Sequence, residues 1–208
     1  MISLYLSAFV TLFLVIDPPG CAPIFAGLVS GATPQQSRSM AIRAVLIAST
    51  ILVAFALFGK QLLAAMHIEL DAFRIAGGIM LFVIALDMVF EKRTQRREER
   101  AERVKEEHQG PEIEDVSVFP MAMPMLAGPG AIASIMLLMA RAQGAEQTLV
   151  VLAALASVMV LMLIALIAAG PLMRLMGART EAVITRLLGV LLAALAAQYV
   201  IDGIKAQF

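Results

Sequence analysis

Tryptophan is absent from this chain, histidine occurs twice and cysteine once. With Cys21 alone there is no intrachain disulfide and no thiolate metal site, and no other cofactor is implied. Aromatic residues make up 6% and charged residues 15% of the 208 positions, and the formal net charge is zero. Because the charges mostly gather in one loop, nothing offers a footprint for nucleic acid. No Lys or Arg precedes Arg38, so the positive n-region of a signal peptide is missing. Pro18 also stands where a lipoprotein cleavage site before Gly20-Cys21 would carry an aliphatic residue. The N-terminus therefore reads as an uncleaved first span. There is no Walker A sequence, which disfavours ATP-driven transport. No HExxH, paired intramembrane Asp or Ser-Lys/His arrangement points to an enzyme.

What the chain has in abundance is apolar length. Hydrophobic residues are 61% of the total and the mean hydropathy is +0.89, values that belong to an integral membrane protein. A spanning helix needs about 20 residues at 1.5 Å each. Six such helices with short loops nearly exhaust the chain and leave no room for a folded soluble domain.

Residues 2–16 predict an apolar helix too short to cross the bilayer by itself, followed by a break at 17–23 and an uncharged continuation to Ser37. Helix 1 is thus expected in two pieces. Helix 2 is expected over 44–59, a short amphipathic connection over 60–74, and helix 3 over 75–90. Residues 91–115 hold seven basic and nine acidic side chains, which read as a solvated linker, helical in part through pairs such as Glu99–Arg103. Helix 4 is expected over 116–140, again in pieces, helix 5 over 148–173 ending at Gly170-Pro171, and helix 6 over 187–201. The expected domains are 1–90 and 116–208, three helices each, joined by the 91–115 linker.

The two halves carry matching signals. Pro19-Gly20 pairs with Pro129-Gly130 at an offset of 110, Gly59 with Gly170 at 111, and Arg74…Gly77 with Arg186…Gly189 at 112. Basic residues set orientation. Twelve of the sixteen fall in loops 1–2, 3–4 and 5–6 and four on the other side, which puts both termini outside. A three-helix unit that starts outside is then followed by one that starts inside. The expected fold is an all-α polytopic membrane protein with six transmembrane helices as a 3+3 inverted repeat.

Proline removes a backbone donor and costs a helix interior roughly 3 kcal/mol. Freed backbone groups at membrane depth are tolerated only where protein buries them or they line a cavity. Two breakers at corresponding places in two halves therefore point to a transporter's binding site. The candidate substrate-binding residues are Asp17, Pro19, Gly20 and Cys21 from the first break and Gly128, Pro129, Gly130 and Ser134 from the second. Asp17, Gly20 and Gly130 are expected to border one midplane cavity. Asp17, the only acid in helix 1, reads either as a contact for substrate or proton or as an N-cap ahead of Pro18. The glycines serve ligand approach or close helix packing equally well, whereas the Gly189, Ala193, Ala197 spacing reads as packing. Arg74 and Arg186 read as interface anchors, and Asp87, Gln198 and Asp202 as residues of the lipid interface.

Asp17-Pro18-Pro19-Gly20-Cys21-Ala22-Pro23-Ile24-Phe25, Arg74-Ile75-Ala76-Gly77-Gly78 and Pro124-Met125-Leu126-Ala127-Gly128-Pro129-Gly130-Ala131-Ile132 together resemble the MarC family of six-helix inner-membrane proteins. The resemblance covers the whole chain except the charged linker. Where the family pattern usually has Asn after the first Pro-Gly, this chain has Cys21. Relatives include transporters of small neutral amino acids, so the resemblance implies that substrate class. The function expected is a secondary transporter in the inner membrane, working by alternating access, with the lipid bilayer and a small solute as its partners. Its driving force would be a proton or sodium gradient or the substrate's own. The alternative is a non-transporting membrane scaffold or assembly factor whose helix breaks are only structural.

Overall fold

The computed structural model describes residues 1–90, 95, 96, 98, 99, 102 and 115–207. Apart from those few positions, the charged linker expected over 91–115 lies outside the described residues. Among the described residues the chain is all helix and turn, without a strand. Seven α-helices are present: α1 (Ile2–Ile16), α2 (Pro18–Leu28), α3 (Pro34–Ala65), α4 (Leu70–Val89), α5 (Pro129–Arg141), α6 (Gly144–Ile167) and α7 (Ala169–Gln207). A broken helical segment, Ser117–Leu126, precedes α5 and is interrupted by extended backbone at Phe119 and Met123, each followed by a cis proline.

Among the described residues five stretches are long and apolar enough to cross a membrane. They are α1 with α2, then α3, α4, α6, and residues 182–206 of α7. The segment Ser117–Leu126 and α5, bent by 53°, make a sixth if counted as one span. This is a polytopic membrane protein, as its composition requires.

Several boundaries differ from those the hydropathy predicts, and where a helix is longer than expected the reason is the same. Hydropathy falls where a helix leaves the apolar layer, but the backbone hydrogen-bond ladder need not stop there. Helix 2 spans all of Pro34–Ala65, opened by a capping box in which Thr33 and Gln36 satisfy each other's backbone amides. It therefore absorbs part of the connection expected over 60–74. Helix 3 begins at Leu70, and the true turn is only Met66–Glu69, with His67 in the left-handed region. Helix 5 ends at Ile167 rather than Met173. Gly170-Pro171 lies in the first turn of α7, where a proline's missing N–H has no intrahelical partner to lose.

The core is mostly small and aliphatic. Leu12, Ile16, Phe25, Leu52, Leu81, Met121 and Ile135 are buried completely. α1 lies against α6, where the Tyr5 hydroxyl donates to Ser157 Oγ at 2.8 Å. α3 crosses the broken segment, α5 and α6, while α2 touches α6 and α7. The most extensive helix pair is α4 with α7. Lipid tails are as apolar as leucine, so such pairs form by close packing and not by exclusion of water. The glycines supply it. A Cβ on Gly78 would lie 3.0 Å from both the Ala196 carbonyl oxygen and the Val200 nitrogen. A Cβ on Gly189 would lie 3.1 Å from the Ala85 carbonyl oxygen and 2.9 Å from Met88 Cβ.

Candidate functional site

The two breaks share a proline at the start of the following helix, but their backbones differ: Asp17 is left-handed, whereas Gly128 is extended (φ −77°, ψ 170°). α1 ends and α2 begins on Asp17, which takes the left-handed conformation (φ 60°, ψ 66°). Pro18 then occupies the first position of α2, and its fixed φ suits a helix start. In the second half Gly128 precedes α5 and Pro129 takes the same first position. Pro18 and Pro129, each at the first position of its helix, lie 111 positions apart. The α4–α7 contacts follow the same register. Gly78 faces Ala196 and Val200, and Gly189 faces Ala85 and Val89, each residue 111 positions from its counterpart. The break at 17–23 is also narrower than the prolines suggest. Helix resumes at Pro18 and accommodates Pro23 in its interior, at the expense of the hydrogen bond that the Pro19 carbonyl would have received.

The two half-helix starts differ in what covers them. Asp17 is buried, and its Oδ1 accepts from the Gly20 amide at 3.2 Å. A Cβ on Gly20 would run into that carboxylate, so the glycine is what lets the cap close. Cys21 is fully buried, its thiol aimed at the Ile16 carbonyl oxygen at 3.5 Å. Gly128 cannot supply a side chain, and none caps α5.

Beside that uncapped start is a cavity of about 170 Å³, on the order of ten times what one water needs. Its wall includes Val15, Ile84, Pro124, Ala131, Asp87 and Arg96, together with Gly128, Pro129 and Gly130. Asp17, Pro19, Gly20 and Cys21 are not part of that wall; Asp17 and Gly20 form the cap of the α1–α2 joint. A Cβ on Gly130 would meet the tip of Ile84 and approach Val15 Cγ1 at 3.4 Å, so this glycine also seats α5 against α4 and α1. Ser134 lies one turn beyond Gly130 on α5, fully buried, its hydroxyl without a hydrogen-bond partner among the described residues.

The two charged residues of the cavity wall, Asp87 and Arg96, were not among the binding candidates read from the sequence. Asp87, in the last turn of α4, pairs with Arg96. An acid inside an otherwise apolar helix was the available signal for Asp87, but its place near the helix end read as lipid interface. Arg96 was one of sixteen charges in the linker and carried no signal.

The opposite end of α5 is closed by polar contacts. Arg141 Nη2 donates to Asp202 Oδ2 at 2.6 Å, and Gln198 Nε2 donates to Asp202 Oδ1 at 2.6 Å. The Arg141 guanidinium sits 4.8 Å from the centre of the buried Tyr199 ring, a cation–π distance. Nearby on α4, Arg74 bonds Asp71 at 2.8 Å. Asp202 and Arg74, expected as interface residues, thus hold specific partners. Among the described residues no group of three His, Cys, Asp or Glu side chains could hold a metal.

Comparison with known proteins gives one consistent result. Residues 2–208 match the family described as MarC family integral membrane protein. The chain is 37% identical over 202 residues to the UPF0056 membrane protein MJ1677 of Methanocaldococcus jannaschii, covering 97% of this chain and 96% of that one. It is 33% identical over 208 residues to the UPF0056 membrane protein YvbG of Bacillus subtilis, covering 100% and 97%. The UPF0056 inner membrane protein YhgN of Escherichia coli K12 is 30% identical over 200 residues, covering 96% and 95%. No solved structure matches the chain.

Proposed function

Since the chain belongs to the MarC family of integral membrane proteins, we propose that it is a secondary transporter of small neutral amino acids. In this reading the cavity beside Gly128–Gly130 is the substrate chamber. One observation carries it. The first half-helix start is capped from within by Asp17, whereas the start at Pro129, 111 residues later, has no side-chain cap among the described residues and borders a cavity. The first-turn amides of a helix carry partial positive charge and attract anions. A substrate carboxylate would take over at α5 the role that the Asp17 carboxylate plays at α2. The substrate ammonium would then find Asp87 or the unwound Pro124 carbonyl.

The access side follows from the polar closures. The chamber reaches the end of the bundle that holds Asp87 and Arg96, while Arg141, Asp202 and Tyr199 seal the other. A 3+3 inverted repeat gives such a protein its second state, by exchanging the conformations of its halves. The reciprocal α4–α7 contacts at one constant offset support that repeat. The scaffold alternative requires that the uncapped helix start and the chamber have no ligand at all.

Uptake by protein reconstituted in liposomes tests the reading. Labelled alanine or glycine should enter under an imposed proton or sodium gradient, and Asp87→Asn should lower uptake by about tenfold or more, as expected for loss of a partly desolvated charge partner worth more than 1.4 kcal/mol. Filling the chamber by Ala131→Leu should abolish uptake in a protein that still inserts. No uptake by the parent across a panel of small solutes, under either gradient, would leave the scaffold reading standing.

The orientation proposed has both termini outside the cytoplasm, from the distribution of Lys and Arg. An alkaline phosphatase fused after Phe208 should be active and a green fluorescent protein fused there dark. The reverse pattern overturns the orientation, and with it the side to which the chamber opens.

A further inference from the structure

A second and larger cavity, of about 700 Å³, lies away from the two helix breaks, where α2 gives way to α3 and α6 to α7. Ala26 on α2, Val29 just beyond it and Ile167 at the end of α6 make an apolar floor open to the cavity. Ser30, Ser37 and Arg38 lie in the turn and the first turns of α3 and make a polar rim. Phe25 and Leu166 are buried by their neighbours, while Arg38 is exposed. No ion pair or hydrogen bond joins Arg38 to another described residue. By contrast Arg43, one turn further on, is held by Asp115 at 2.6 Å.

From this arrangement we propose that the cavity binds one anionic glycerophospholipid, its acyl chains against Val29 and Ile167 and its phosphate at Arg38. The volume is within the 300–1,000 Å³ usual for a small-molecule site. The position, at the ends of three spans, is where a headgroup meets its chains. A basic residue at the mouth of an apolar recess between transmembrane helices is the pattern that recognises acidic headgroups. A soluble anion would use Arg38 and leave the apolar floor uncovered. A zwitterionic lipid offers the same phosphate but brings its own cation beside the guanidinium, which weakens the attraction at Arg38. An anionic lipid satisfies both halves of the lining without that repulsion. The site does not depend on whether the protein transports anything.

Native mass spectrometry of the full chain, released from detergent micelles containing equal phosphatidylglycerol and phosphatidylcholine, tests this directly. One phosphatidylglycerol should remain bound in preference to phosphatidylcholine by roughly fivefold, the equivalent of about 1 kcal/mol for one arginine at an acidic surface. Arg38→Gln, at an exposed position that folding does not depend on, should bring the two lipids to equal occupancy. Arg43→Gln, whose charge is already paired, should leave the preference in place. Equal retention of the two lipids by the parent, or an unchanged preference in Arg38→Gln, overturns the proposal. So does displacement of the bound lipid by millimolar inorganic phosphate or glycerophosphate, since the site would then recognise the anion without the chains.

Discussion

Gly78→Val should yield little or no monodisperse protein after detergent extraction, with the reciprocal change Gly189→Val close behind. The reason is the identity of the atoms that a side chain would meet. At Gly78 the neighbours at 3.0 Å are the backbone oxygen of Ala196 and the backbone nitrogen of Val200, which cannot swing aside as a side-chain tip can. α4 and α7 would have to separate along the largest helix contact in the molecule. Overpacking of this kind typically costs 1–3 kcal/mol even where side chains can yield, so about 3 kcal/mol or more is expected here. In a bilayer no hydrophobic term offsets the lost packing. The double variant should cost less than the sum of the two, because one displacement of the helices relieves both clashes. Gly27→Val is the control, since nothing lies within 4 Å of a Cβ there. Thermal unfolding followed by size-exclusion chromatography reads the effect, and a Gly78→Val protein as stable as the control would mean that α4 and α7 do not pack through these glycines.

Asp17→Ala should also destabilise strongly, and Asp17→Asn should not. The carboxylate accepts the Gly20 amide in a fully buried joint, and its backbone is left-handed, a conformation that Asn and Asp visit more readily than Ala. Losing an N-cap costs about 0.5–2 kcal/mol, and leaving a buried amide unsatisfied costs about 1–3 kcal/mol. These overlap in part, so roughly 2–3 kcal/mol is expected for Asp17→Ala. Asn keeps a capping oxygen and tolerates the same φ and ψ. The Asn variant should therefore unfold within about 1 kcal/mol of the parent and, on the proposed function, still take up amino acid. A fall in uptake with unchanged stability in Asp17→Asn would reassign this residue from the helix joint to substrate or proton contact. A fall in stability equal to that of Asp17→Ala would show that the charge matters and the cap does not.

Much of this architecture is legible in the residues because its causes are local. A 61% hydrophobic composition admits no soluble fold of this length, and spacing of the apolar runs counts the spans. Pro18 and Pro129 mark the interruptions because a missing N–H acts at the residue itself, while Pro23 is carried inside α2. Helix lengths are less legible. α3 reaches Ala65 and α7 begins at Ala169, since helices outrun the apolar layer without any change that hydropathy registers.

Tertiary structure alone decided which faces meet and where the chamber lies. A helix that is apolar all round carries no periodic mark of which face meets a neighbour and which meets lipid, so the three sequence matches, at offsets drifting from 110 to 112, say nothing of the contacts. The helix starts at Pro18 and Pro129 and the reciprocal glycine contacts of α4 and α7 all lie 111 positions apart. Asp87 and Arg96, distant from the second break in sequence, reach the chamber wall only because α4 packs against α5. The sequence determined that the backbone must be interrupted twice inside the bilayer. Packing determined that one interruption is capped from within by its own carboxylate while the other opens on a cavity, because only the assembled bundle fixes which space a side chain fills.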